Sequence, residues 1–190
     1  MFLRRHYPDA VIDAVDIDPG VVHVAKEFFG FREDARMRAH VADGRRFIEQ
    51  SPRPYDMIFL DAFGSDQLPA HLTTQEFLRA VRRAVKPDGV VVGNVWRREA
   101  NPLFDSMVRT YQEVFDELFI LDVRDAGNRI LLALPRPQPL SRAELVQQAR
   151  AVSTAKRFRF DLGELAGYGF LRAQEKNQDG RVLQDMDPKR

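Results

Sequence analysis

The stretch "AVIDAVDIDPGVVHVAKEFFGF", residues 10–31, decides the fold. Its first half is apolar and β-branched and reads as a strand that ends on an acid, Asp16. Its second half reads as a helix, with Pro19 at the first turn and Gly30 at the stop. A strand, an acid at its end and then a helix make the local pattern of a nucleotide-binding α/β fold, in which such an acid holds a ribose.

The same alternation continues outward. "MRAHVA" (37–42) is a second strand and "DGRRFIEQ" (43–50) a short helix. "YDMIFLDA" (55–62) is a third strand, nearly all apolar, as expected when both faces are buried. "TTQEFLRAVRRAVKPDG" (73–89) is an amphipathic helix with a Thr cap and a Pro-Asp-Gly stop, and "VVVGNV" (90–95) is a fourth strand. A helix over 101–115 follows. "ELFILDV" and "NRILLAL" then form an antiparallel hairpin, with Ala126, Gly127 and Asn128 in its turn. The aromatic residues of "EFFGF" are expected in the core.

This alternation predicts an α/β fold, a Rossmann-like three-layer sandwich whose sheet is mostly parallel and ends in the hairpin. Residues 1–135 form that domain. After "PRPQP" (135–139), residues 136–190 form a C-terminal helix and tail: "SRAE" is a Ser-x-x-Glu capping box, and the polar stretch beyond Gly169 is expected to fray.

Composition narrows the function. The 190 residues carry a net charge of +1, which gives no bulk drive toward nucleic acid or an anionic membrane. Cysteine is absent, which excludes disulfides, thiolate zinc sites and thiol nucleophiles and suits a cytoplasmic enzyme. His6, His23, His40 and His71 show no metal-ligand spacing. The arginines of "RREA" and "RAVRR" read as solvated helix faces, and Trp96 is either a flank of the site or a packed rim residue.

In an open α/β sheet, ligands lie at the carboxyl ends of the strands. Asp16, Asp18, Asp43, Gly44, Asp61 and Asn94 stand there, with Asp66 in the loop after the third strand. A rim of acids suits a cationic or polyhydroxyl ligand. Asp18 reads as an N-cap, and Asp43 as a cap, an adenine contact or both. Asp61 ends a buried strand, where a carboxylate needs partners or a task.

In order, the segments "AVDIDPGVVHVAKEFFGF", "VADGRRFIEQ" and "YDMIFLDAFGSDQLPAHLTTQEFLRAVRRAVKPDGVVVGNV" resemble the spermidine synthase family of aminopropyltransferases, over Pro8 to Leu134. The likeness is greatest to divergent synthase-like proteins, some of them fused behind transporter segments. The resemblance implies the fold of class I S-adenosylmethionine-dependent methyltransferases. It implies decarboxylated S-adenosylmethionine or S-adenosylmethionine as co-substrate, with no metal, and a small-molecule amine such as putrescine as acceptor. By position, Asp16 matches the ribose-binding acid, Asp43 with Gly44 the adenine contact, and Asp61 the acid that orients and deprotonates the attacking amine. Where synthases carry a second, diamine-binding Asp, this chain has Gly64, and Asp66 is the candidate replacement. A homodimer is also implied, without nucleic-acid or membrane contact.

The family begins this fold with a strand and a glycine-rich loop, preceded by a β-hairpin domain. Here "FLRRHYP" (2–8) reads as the end of the helix after that loop. The first strand would lie between the strands of "VIDAVDI" and "DMIFLDA". A start at an internal Met, a truncated remnant, or a resemblance that misleads about where the fold begins would each account for this. Under the first two, weak nucleoside binding and little turnover are expected of this polypeptide. The rival functions are a small-molecule methyltransferase on the same fold and a non-catalytic nucleoside-binding remnant.

Overall fold

The structure is a computed structural model that describes residues 2–62 and 69–185. The chain divides into two compact units, Met1–Ser51 and Pro52–Arg190. The boundary expected at residue 135 does not separate units, because the segment after it belongs to the second.

In the first unit, α1 (Phe2–His6) precedes β1 (Ile12–Asp16), α2 (Pro19–Phe28), β2 (Met37–Val41) and α3 (Gly44–Glu49). β1 and β2 pair in parallel, with Asp16 opposite Val41. Asp18 caps α2, its carboxylate accepting from the Gly20 amide at 2.7 Å. The aromatic residues of "EFFGF" depart from expectation: Phe28 and Phe29 are each 77% exposed. A two-stranded sheet offers few side chains to cover a helix, and no residue of α2 is buried.

The second unit holds β3 (Tyr55–Leu60), a 3-10 turn at Ala70–Leu72, α4 (Gln75–Ala84), β4 (Val85–Trp96), α5 (Phe104–Val114), β5 (Glu117–Asp122), β6 (Asn128–Leu134), α6 (Arg142–Lys156), α7 (Leu162–Gly167) and β7 (Leu171–Arg172). Its sheet runs β3-β4-β6-β5-β7. β3 and β4 are parallel, and every other pairing in this sheet is antiparallel. The strand pairing is therefore mixed rather than mostly parallel. The hairpin explains this, because its second strand, β6, inserts between β4 and β5 and must run against both. Among the described residues β1 pairs only with β2 in its sheet, and β3 only with β4.

Helix α4 begins at the Thr74 cap and stops at Ala84, ahead of "KPDG". Those four residues break the β3–β4 register between Tyr55 and Met57. Gly89 is needed there, since a Cβ would lie 2.7 Å from the Asp56 carbonyl oxygen. The core lies between α4, α5 and the sheet, where Leu78, Val81, Val91, Val95, Leu118 and Leu131 are at most 2% exposed. The hairpin strands are those expected, except that β5 ends at Asp122 and leaves Val123 to the turn. Asp125 takes the left-handed conformation (φ 55°), and Asn128 already belongs to β6.

As far as residue 185 the C-terminal tail packs onto the fold rather than fraying. β7 adds to β5, and Arg172 donates to the buried Glu117 carboxylate, Nε to Oε1 at 2.9 Å. Beyond it the chain straps across α5. Gln112 donates to the Ala173 and Glu175 carbonyls, and the Asn177 amide donates to the Gln112 side chain. At Gly180 a Cβ would lie 2.1 Å from the Asp105 carbonyl oxygen, so only glycine lets the strap lie this close. Leu183 is fully buried. Among the described residues no helix is long and apolar enough to cross a membrane.

The Arg172 hydrogen bonds hold the Glu117 carboxyl below the usual carboxylate range, against the opposing effect of its burial. A lowered folded value stabilises the protein above the ordinary carboxylate range, and that stabilisation is lost as pH falls through the folded value. Arg172→Ala is therefore expected to cost about 3 kcal/mol at neutral pH, because it strands a buried charge. The difference from wild type should shrink as the medium is acidified below the carboxylate range. Urea unfolding at a series of pH values measures it.

Candidate functional site

In the first unit, Asp16 closes β1 and its Oδ1 accepts from the Asp18 amide at 2.9 Å. The loop thus fixes one carboxylate oxygen, and among the described residues no hydrogen bond holds Oδ2. Asp43 caps α3, accepting from the Arg46 amide at 3.0 Å. The cap expected of it is present. Gly44 opens α3, and a Cβ there would meet nothing within 4 Å, so packing does not require glycine at that position. His40 pairs with Asp13 at 2.9 Å and lies against Phe47, a packing role. Among the described residues no group of three or more His, Asp or Glu side chains is placed to hold a metal ion.

Asp43→Ser tests whether this side chain does more than cap α3, because serine caps a helix as well as aspartate does. Thermal stability is expected to stay within about 0.5 kcal/mol of wild type, as for a neutral surface change. The adenine contact expected of Asp43 predicts that nucleoside affinity, read by calorimetry, falls about tenfold, the loss of one hydrogen bond to a charged group.

In the second unit, β3 delivers Asp61 to its carboxyl end. Leu60 pairs with Gly93, which puts Asp61 beside Asn94 of β4. Asp61 is exposed, and its Oδ1 accepts from Asn94 Nδ2 at 2.8 Å. Asn94 in turn accepts at its own Oδ1 from Asn128 Nδ2, also at 2.8 Å. Asn128 reaches this place because β6 runs against β4. Trp96 pairs with Asn128 and Asn94 with Ile130, so Asn94 and Asn128 are diagonal neighbours on one face. Trp96 shares that face, half-buried. The sequence placed Asn94 at a strand end and Asn128 where the turn meets the second hairpin strand, and only the hairpin register joins them. Gly64 and the candidate replacement Asp66 lie outside the described residues.

The chemistry available here is that of a carboxylate held by one oxygen and, among the described residues, without a hydrogen bond to the other. Such a group can hold an ammonium and accept its proton.

The family model of the spermine/spermidine synthase domain matches residues 3–122. The chain belongs to the spermine/spermidine synthase domain family. Asp16, Asp43, Gly44, Asp61 and Asn94 fall within this synthase domain match, and Asn128 falls beyond it. The chain is 35% identical over 157 residues to a polyamine aminopropyltransferase of Vibrio vulnificus, covering 80% of this chain and 52% of that protein. It is 33% identical over 170 residues to the human eEF1A lysine and N-terminal methyltransferase, covering 83% of this chain and 24% of that one. The chain thus spans about half the length of the first relative and about a quarter of the second. The crystal structure of human methyltransferase-like protein 13 in complex with SAH superposes with a TM-score of 0.75 at 32% identity, covering 84% of this chain and 77% of that one. The fold of this synthase-family chain is the Rossmann-like, methyltransferase-type fold, carried by mixed strand pairing.

Proposed function

We propose that this chain is a transferase that moves an alkyl group from a sulfonium nucleoside to an amine nitrogen. The first reading is transfer of an aminopropyl group from decarboxylated S-adenosylmethionine to a polyamine such as putrescine. The observation that carries it is Asp61, just after β3, a carboxylate fixed through Oδ1 and, among the described residues, without a partner at Oδ2. Membership of the synthase family and the likeness to polyamine aminopropyltransferases support it.

An aliphatic amine has a pKa near ~10, like a lysine side chain, and reaches the enzyme as an ammonium. In the proposed reaction Asp61 holds that ammonium and takes its proton. The nitrogen lone pair attacks the propyl carbon bound to sulfur. The carbon–nitrogen bond forms as the carbon–sulfur bond breaks, its electron pair passes to sulfur, and 5′-methylthioadenosine leaves. Asp16, with one oxygen fixed and the other open, suits a ribose hydroxyl. The open space beside Gly44 suits the approach of a flat base.

A second reading is methyl transfer from S-adenosylmethionine to an amine. The identity to the eEF1A methyltransferase and the superposition on methyltransferase-like protein 13 favour it. Both readings give the same acceptor chemistry to Asp61 and differ in the donor. The test offers each donor with putrescine and with a lysine peptide and identifies products by mass spectrometry. Aminopropylated amine with 5′-methylthioadenosine supports the first reading. Methylated amine with S-adenosylhomocysteine supports the second. Products from neither donor count against both.

A further inference from the structure

We infer that Asn128 is a positioning residue, which through Asn94 dictates which oxygen of Asp61 receives the proton. The inference rests on the proposed role of Asp61 and extends it to residues that never touch the amine.

The argument follows from the polarity of the groups. An ionised carboxylate only accepts hydrogen bonds, whereas a carboxamide donates at nitrogen and accepts at oxygen. Asp61 therefore requires that Asn94 turn its nitrogen toward it, as it does at 2.8 Å. That leaves Asn94 Oδ1 facing away, where it needs a donor. Asn128 Nδ2 supplies one at 2.8 Å. Both bonds run in one direction, from Asn128 to Asn94 to Asp61. Were Asn94 to flip, its oxygen would face the carboxylate and its nitrogen would face the Asn128 nitrogen, two mismatches at once.

The relay has a chemical consequence. Oδ1 of Asp61 stays occupied by a donor before and after the proton moves. Oδ2 is left as the oxygen that meets the ammonium and carries its proton away. Asn94 and Asn128 are both half-buried, which limits the competition of water for these bonds. A carboxylate without the relay could rotate and present either oxygen, and misplacement on that scale costs about tenfold to a hundredfold in rate.

The test uses Asn128→Asp, which keeps the shape of the side chain but cannot donate when ionised. With the amine and donor that the parent chain uses, kcat is expected to fall about tenfold or more, with the donor KM unchanged. In an Asn94→Leu background the same substitution should have no further effect, because the relay is already cut. Additive losses in the double variant would overturn the inference. A second measurement does not need turnover. In Asp61→Ala, the side-chain amide NMR signals of both Asn94 and Asn128 should move, although Asn128 does not touch Asp61. An unmoved Asn128 signal overturns the relay even if the chain transfers nothing, and a moved one supports it whatever becomes of the transferase reading.

Discussion

Asp61→Asn is expected to lower turnover about a thousandfold while leaving the fold intact, within the range that a positioned acid or base contributes. The substitution is nearly isosteric. The new carboxamide oxygen can still accept from Asn94 Nδ2, as Asp61 Oδ1 does at 2.8 Å. At the position of Oδ2, however, stands a nitrogen that neither attracts an ammonium nor takes its proton. The loss should therefore appear in kcat and in the KM of the amine, and not in nucleoside affinity. Thermal stability should change little, since Asp61 is exposed and ends its strand. Steady-state kinetics with calorimetry of the nucleoside checks both parts. A variant that keeps wild-type turnover would show that Asp61 handles no proton.

Leu183→Ala is expected to destabilise the protein by about 3 kcal/mol, as for a fully buried leucine. For a chain of this size that is a fall of roughly 10 °C in Tm. Leu183 is 0% exposed, and its backbone is bonded on both sides. Its amide donates to Thr110 Oγ1 at 3.0 Å, and its carbonyl accepts from the Gln75 amide at 2.8 Å. Gln75 opens α4 directly after the Thr74 cap, so the strap holds both α5 and the start of α4. A frayed tail would give a change within about 0.5 kcal/mol, the level of an ordinary surface substitution. Hydrogen exchange adds a local reading, with the Leu183 amide expected to be protected in wild type and exposed in the variant.

What the sequence disclosed follows from the range of the forces involved. The caps at Asp18, Thr74 and Ser141 were readable because each is a contact with an amide two or three residues away. The hairpin was readable because two apolar runs flank a short polar turn. The insertion of β6 between β4 and β5 was not, because the outer partner of a hairpin strand is chosen by the whole sheet. The tail misled for a related reason. Its backbone amides are held by Gln112, Thr110 and Ser106 on α5, more than sixty positions earlier in the chain, and composition carries no trace of such bonds. Phe28 and Phe29 misled in the opposite sense, since an apolar residue is buried only where another element covers it.

The candidate residues of each unit divide in the same way. Asp16, Asp43 and Asp61 were legible as acids at strand ends, a place that the fold class itself singles out. Asn94 was visible as a strand end without a partner. Asn128 was not legible as a partner for it, because a diagonal pair across antiparallel strands needs the register of β6 against β4, which local sequence does not set.

The most direct test of the account is titration calorimetry of the 190-residue chain with 5′-methylthioadenosine and then S-adenosylhomocysteine. These are the nucleoside products of the two transfers considered. Micromolar binding of at least one, lost in Asp16→Ala and retained in Asp61→Asn, is the predicted result. Absence of binding by both would contradict the assignment of these acids to a sulfonium nucleoside.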